Sequence, residues 1–142
     1  MHSHKPLDLV VLALGTNDLK RRFALEPGDI AYNLRILVQD IRRFSLSSDL
    51  SPSILVLGLP SLFSTPLAKK WGFPEDVSTR AKRTTLLIQA IAEDADVHFL
   101  DISSAPVSPL DGIHFSSNAQ PELARLMATK IVSLFRTTFA AR

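Results

Sequence analysis

Three short apolar runs, separated by longer stretches with helical spacing, constrain the fold of this chain more than any other feature of its sequence. The runs lie at residues 8–14, 53–58 and 97–100. The first two are apolar at consecutive positions, which is typical of strands that helices cover on both faces. The third run is shorter and mixed, so we expect it nearer an edge of the sheet. The pattern predicts an α/β domain with a parallel sheet.

Three further segments carry apolar residues at helical spacing. The first begins near Pro27 and Asp29, which suit the first turn of a helix, and a polar connection at 45–53 ends it. The second helix is predicted over 74–92 and the third over 117–135, with Pro121 in or near its first turn. The side chains expected to face the core are Ile30, Leu34, Leu37, Ile41 and Phe44, then Val77, Ala81, Thr84, Ile88 and Ile91, then Leu123, Leu126, Met127, Ile131 and Leu134.

The composition is that of one ordinary globular domain. The chain has 142 residues, of which 46% are apolar and none is cysteine. The absence of cysteine excludes thiolate zinc sites, thiol nucleophiles and disulfides. A net charge of +2 names no partner, and the scattered basic pairs lack interleaved aromatic residues, so we expect no nucleic-acid partner. The apolar run at 9–14 is far shorter than the roughly 18 residues of a bilayer span. Residues 1–6 do not resemble a secretory signal, so the expected location is cytoplasmic.

Ligands of open parallel sheets bind beyond the carboxyl ends of the strands, so residues that directly follow a strand are the first candidates for chemistry. The tetrapeptide Gly15-Thr16-Asn17-Asp18 follows the first run. Its glycine permits a sharp turn, and the side-chain amide of Asn17 is a neutral donor that can stabilise an oxyanion. Taken alone, the tetrapeptide is more simply a turn, because Gly, Asn and Asp all favour turns.

A second candidate, Asp111-Gly112-Ile113-His114-Phe115-Ser116, lies between the third run and the last helix. The Asp111 carboxylate can accept a hydrogen bond from Nδ1–H of His114, which leaves Nε2 as a base. An isolated Asp-x-x-His pair is more often a capping aspartate beside a surface histidine.

Together the two motifs, in this order and strand context, resemble those of the SGNH hydrolases, the GDSL-type esterases and lipases, and especially their small bacterial arylesterase-like members. The resemblance implies a three-layer α/β/α, flavodoxin-like parallel sheet and hydrolysis of a small ester through an acyl-enzyme, without a cofactor. It assigns Asn17 to the oxyanion hole, Asp111 and His114 to a Ser-His-Asp triad, and Gly15 and Asp18 to the supporting turn.

The chain also departs from this family. Members begin with a strand that ends in Gly-Asp-Ser, whose serine is the nucleophile, and a later glycine N–H completes the oxyanion hole. Seven residues precede Asp8 here, and neither motif is present. We therefore expect residues 1–142 to be the C-terminal part of a single SGNH-type domain, incomplete at three strands because the first two family strands are missing. Such a chain should be inactive or nearly so alone.

The sequence offers other serines and one alternative role. No serine has the strand-turn-helix context of an activated nucleophile; those nearest the expected site are Ser61, Ser64, Ser103, Ser104 and Ser108. The alternative function is that of a non-catalytic SGNH-like protein, which uses the cleft near Asn17 and His114 for binding or pairs with a second chain.

Three further features leave alternatives open. The aromatic residues of the irregular segment 59–73 either wall an acyl or aryl pocket or pin the segment to the body; they are Phe63, Trp71 and Phe73. Four residues could in principle form a metal site, but their spacing is not one that indicates metal binding, so no metal is expected. These residues are His98, Asp101, Asp111 and His114. Finally, neither charge nor proline blunts the strand at 9–14, and an open edge there predicts self-association.

Overall fold

The computed structural model describes residues 7–45 and 51–140, with side chains for 7–44 and 51–136. The elements are β1 (Leu9–Leu12), α1 (Pro27–Ser45), β2 (Ser53–Leu57), α2 (Pro66–Lys70), α3 (Val77–Asp94), β3 (His98–Leu100) and α4 (Ala119–Ala140). Two single-turn 3-10 helices, Asn17–Leu19 and Arg21–Phe23, connect β1 to α1.

The three strands form one parallel sheet in the order β1-β2-β3. Leu9 of β1 lies opposite Ser53, and Leu55 of β2 lies opposite His98. The central strand is the most buried, and full burial of a side chain such as Leu55 is worth about 1.5–3 kcal/mol. The parallel sheet confirms the predicted α/β fold, and β3 lies at an edge as expected.

Successive strand residues point to opposite faces of the sheet, and helices cover both faces. On one face, Leu12 and Val56 pack in a cluster with buried residues of α1 and α3 such as Val38 and Ile88. On the other face, Leu55 and Leu57 pack with Ile102 and with partly buried residues of α4; the latter are Leu123, Met127 and Ile131. The result is the expected three-layer arrangement.

The structure corrects several boundaries. The segment 59–73 is not wholly irregular, because it contains α2, whose start is capped by the Thr65 hydroxyl. Helix α3 begins at Val77 rather than at residue 74, and α4 begins at Ala119, which places Pro121 in its first turn. The prediction that Phe44 faces the core is wrong, since 57% of this residue is exposed. Residues 46–50 of the predicted polar connection lie outside the described residues.

Within the described residues, no helix combines the length and the apolar composition that crossing a bilayer requires.

Candidate active site

The turn after β1 places Asn17 at the carboxyl end of the sheet. Gly15 adopts φ +113°, and a Cβ there would lie 3.3 Å from side-chain atoms of both Ile30 and Leu59, so the turn requires glycine. Asn17 begins a 3-10 helix that is anchored by the buried side chain of Leu19. Asn17 itself remains exposed. Gly15 and Leu19 of the turn are thus buried, and the side-chain amide of Asn17 is left available.

A closed loop over residues 107–115 carries Asp111 and His114. Val107 and Phe115 form an antiparallel bridge at its base. Inside the loop, the N–H of Ser108 donates to the carbonyl of His114 at 2.7 Å, and the N–H of Gly112 donates to the carbonyl of Ser108 at 2.7 Å. These backbone bonds close the loop around Asp111.

The Asp111 carboxylate is the best-satisfied polar group of the site. Its Oδ1 accepts from the backbone N–H groups of Ile113 at 2.7 Å and His114 at 2.8 Å, and its Oδ2 lies 3.1 Å from Nδ1 of His114. Burial, the largest single influence, raises the pKa of Asp111, but the hydrogen bonds from Ile113 and His114 together outweigh it and the net pKa is lowered. An ionised carboxylate only accepts, so the contact with Oδ2 favours the hydrogen on Nδ1, and Nε2 of the neutral ring is then an acceptor that faces away from Asp111.

The Asp111 loop packs backbone against backbone on the segment before α2. Gly112 has φ +69°, and a Cβ at this position would lie 2.1 Å from the carbonyl oxygen of Phe63. The N–H of Phe63 in turn donates to the carbonyl of Gly112 at 3.0 Å. Only glycine permits this approach, which explains why glycine follows Asp111 in the motif.

Asn17 and His114 line one cleft of about 230 Å³ at the carboxyl ends of the strands. Nearly a hundred residues separate them in the sequence, and the parallel sheet brings them together. The rest of the cleft lining is mostly apolar or backbone: Ala13, Leu14, Thr16, Gly58, Pro60, Ile102, Ile113 and Phe115. An apolar cleft with few polar groups is typical of a small-molecule site. Asp18 instead lines a neighbouring cavity of about 140 Å³ beside α1.

The three aromatic residues of segment 59–73 lie outside the lining of this cleft. Phe73 is 2% exposed within the core cluster, so it pins the segment to the body. Trp71 is partly exposed and meets the His114 imidazole edge to face, with ring centroids 5.3 Å apart. Sequence reasoning did not identify Thr65 as the residue that caps the start of α2. The available signal was the Thr-Pro pair, since threonine favours the N-cap position and proline the first helical position.

Three of the candidate serines can be compared by the environment of their hydroxyls. Ser61 Oγ donates to the carbonyl of Ser103, and Ser108 Oγ accepts from a backbone N–H. Ser64 Oγ is buried and has no hydrogen-bond partner. Within the described part of the chain, none of these hydroxyls hydrogen-bonds His114.

The conceivable metal grouping is not assembled. Residues 7–45 and 51–140 contain no group of three or more His, Asp or Glu side chains arranged to hold a metal ion.

Comparison with known proteins gives consistent results. The family model of the GDSL-like lipase/acylhydrolase family matches residues 1–121. Est24, a carbohydrate acetylesterase from Sinorhizobium meliloti, is 30% identical with a TM-score of 0.82, over 93% of this chain and 63% of that one. The aryl esterase of M. smegmatis is 30% identical with a TM-score of 0.83, over 93% and 63%. A putative arylesterase from Agrobacterium tumefaciens is 27% identical with a TM-score of 0.80, over 92% and 63%.

The chain therefore spans less than two thirds of the length of each of these structures. No curated protein sequence matches it significantly. The family match extends over most of the chain, and it includes both motifs that form the cleft. The chain belongs to the GDSL-like lipase/acylhydrolase family.

Proposed function

We propose that this chain carries the oxyanion and acid–base half of an ester-hydrolysis site of the SGNH type, as the C-terminal part of one such domain. The observation that supports the proposal most is the hydrogen-bonded pair of Asp111 and His114, which lies at the same cleft as Asn17. The esterases among the structures similar to this chain point to a small ester as the substrate.

In this proposal each residue has a separate task. The His114 Nε2 takes the proton from an attacking hydroxyl and returns it to the leaving alcohol, and a second cycle with water releases the acid. Asp111 remains ionised and stabilises the imidazolium that forms in each cycle. The Asn17 amide donates to the oxyanion of the tetrahedral intermediate. No step requires a cofactor.

The nucleophile is the part of the site that these residues do not provide. None of Ser61, Ser64 and Ser108 pairs with His114 in the described part of the chain, and a nucleophilic serine needs such a pair. In a serine protease, loss of the nucleophile lowers turnover about a million-fold. We therefore propose that the chain alone is inactive or nearly so, and that a serine from outside these residues completes the site.

Two experiments test the proposal. A fluorophosphonate probe should label no serine of the isolated chain, and stoichiometric labelling would show that the chain has its own nucleophile. A chimera that joins residues 7–140 to the part of the M. smegmatis aryl esterase that this chain does not match should hydrolyse p-nitrophenyl acetate.

Variants of the chimera assign the roles. Asn17→Ala should lower kcat by about 10²- to 10³-fold, the usual cost of one oxyanion donor. Asn33→Ala, which removes an exposed amide that lies outside the cleft lining, should leave kcat unchanged. A chimera that folds, binds the ester and does not hydrolyse it would instead support the non-catalytic binding role.

We also propose that β1 mediates self-association. The strand pairs with β2 on one side, and Leu9, Val10 and Val11 are only half-buried. Such an edge offers free backbone donors and acceptors to a second strand. Leu14→Lys, at an exposed position beside this strand, should weaken association in sedimentation experiments, whereas Leu110→Lys, at the exposed Leu110 in the Asp111 loop, should not. A wild-type chain that stays monomeric at all concentrations would refute this proposal.

A further inference from the structure

Helix α2 contacts the Asp111 loop through the residue that caps its start. The Thr65 hydroxyl accepts from the N–H of Ala68 at 3.1 Å and donates to the backbone carbonyl of Asp111 at 3.0 Å. Thr65 is buried, and both of these partners are backbone groups of the protein. One side chain thus fixes the first turn of α2 and the position of Asp111 together.

The other end of α2 contacts His114. Trp71 follows the last helical residue, and its backbone N–H donates to the carbonyls of Leu67 and Ala68, both at 3.1 Å. Its indole ring meets the imidazole of His114 at an interplanar angle of 75°, in a T-shaped contact. Quadrupolar rings favour this edge-to-face geometry. The two residues that flank α2, Thr65 and Trp71, therefore contact both members of the Asp111–His114 pair.

The imidazole needs such a contact because solvent surrounds most of it. The side chain of His114 is 69% exposed, against 12% for Asp111, and one hydrogen bond, through Nδ1, joins the imidazole ring to the Asp111 carboxylate. One bond leaves an exposed ring free to rotate away from its partner. An aromatic ring beside the imidazole restricts that rotation.

The backbone around Trp71 is held in place from a third direction. The carbonyl of Gly72 accepts from the N–H of Arg21 at 2.9 Å, and Lys20 Nζ lies 5.2 Å from the ring centroid of Phe73. Lys20 and Arg21 directly follow the 3-10 helix that carries Asn17. The segment 65–73 thus joins the turn of the oxyanion donor to the loop of the acid–base pair.

We propose that Trp71 is a positioning residue that holds the imidazole of His114 against Asp111, with Thr65 as the anchor of the helix that carries it. This inference rests on the proposed function only for its catalytic meaning. The contacts themselves can be tested in the chain without any ester. The interaction energy of one edge-to-face pair corresponds to a preference of about twofold to thirteenfold for the aligned ring.

The test is ¹⁵N NMR of the imidazole groups of the chain, with the His114 signals identified by their loss in His114→Gln. Trp71→Leu should lower the ratio of Asp111-bonded Nδ1–H imidazole to other forms by about twofold to thirteenfold. Trp71→Phe should restore most of it, because an aromatic ring is kept. Phe23→Leu, a matched change at another partly exposed aromatic residue, should leave the ratio unchanged.

A second pair of variants keeps the inference testable if Trp71→Leu does not fold. Thr65→Val removes the hydroxyl at nearly constant shape and should lower the same ratio, whereas Thr65→Ser should preserve it. An unchanged His114 spectrum in folded Trp71→Leu or folded Thr65→Val would overturn the inference. A chimera that fails to hydrolyse esters while these spectra change would overturn the proposed function and leave the positioning role in place.

Discussion

Gly112→Ala gives the most direct test of how the Asp111 loop is built. The new Cβ would lie 2.1 Å from the carbonyl oxygen of Phe63 and 3.0 Å from its carbonyl carbon. Because the obstacle is backbone, no side-chain rotation relieves the contact, and forced overpacking costs about 1–3 kcal/mol. The φ of +69° adds about 1–2 kcal/mol for a residue with a Cβ. Gly112→Ala should therefore lower the free energy of unfolding by about 2–5 kcal/mol, which is a large part of the stability of a small domain.

Gly72→Ala is the matched control for this variant. Gly72 also has a positive φ, +89°, but nothing lies within 4 Å of an added Cβ. Both alanines restrict the unfolded chain equally, so that effect cancels when the two variants are compared. Urea unfolding followed by far-ultraviolet circular dichroism should show Gly112→Ala less stable than Gly72→Ala by about 1–3 kcal/mol, the overpacking cost alone. Equal free energies of unfolding would refute the contact between Gly112 and Phe63.

Three further predictions concern the residues of the site and its support. Because the pKa of Asp111 is lowered in the folded protein, its carboxylate stabilises the fold at pH values above the ordinary aspartate pKa of about 4. This contribution is lost as the pH falls through the lowered pKa of the folded state. The free energy of unfolding of Asp111→Asn, measured in this acid range, should therefore depend less on pH than that of the wild-type chain. In an active chimera, Asp111→Asn should lower kcat by about 10⁴-fold, because the amide favours the wrong tautomer of His114. The rate of ester hydrolysis, compared at equal folded fraction, measures this loss. A loss below tenfold would contradict the proposed role of Asp111. Phe73→Ala should cost about 3–5 kcal/mol in the free energy of unfolding, whereas Phe63→Ala should cost much less because Phe63 is partly exposed; similar costs would contradict the pinning role of Phe73.

The fold and two parts of the site could be predicted because their signals are local. The consecutive apolar residues of 53–57 are a strand signal by themselves, and the ends of parallel strands must share one edge of the sheet. The shared edge predicts that Asn17 and His114 lie close together, and both line one cleft in the structure. The prediction from the spacing of α1 was wrong at Phe44, which is exposed. Periodicity shows which face of a helix is apolar, but it does not show where the layer that covers this face ends.

The support of the site could not be predicted, because it depends on contacts between distant residues. Helix α2 has five residues, too few for a periodic pattern. The bond from Thr65 to Asp111 spans 46 positions, and the ring contact of Trp71 with His114 spans a similar distance. Such contacts follow from the packing of loops on a completed sheet and have no local sequence signature.

The loops that carry the site exchange backbone hydrogen bonds with one another. Phe63 N–H bonds to the carbonyl of Gly112, and Arg21 N–H bonds to the carbonyl of Gly72. Every residue except proline can donate such a bond. Side chains at exposed loop positions such as Phe63 and Leu110 can therefore change while the loops keep their relative positions. This separation lets mutation diversify the surroundings of the cleft, and with them the range of molecules it admits, at little risk to the arrangement of Asp111 and His114.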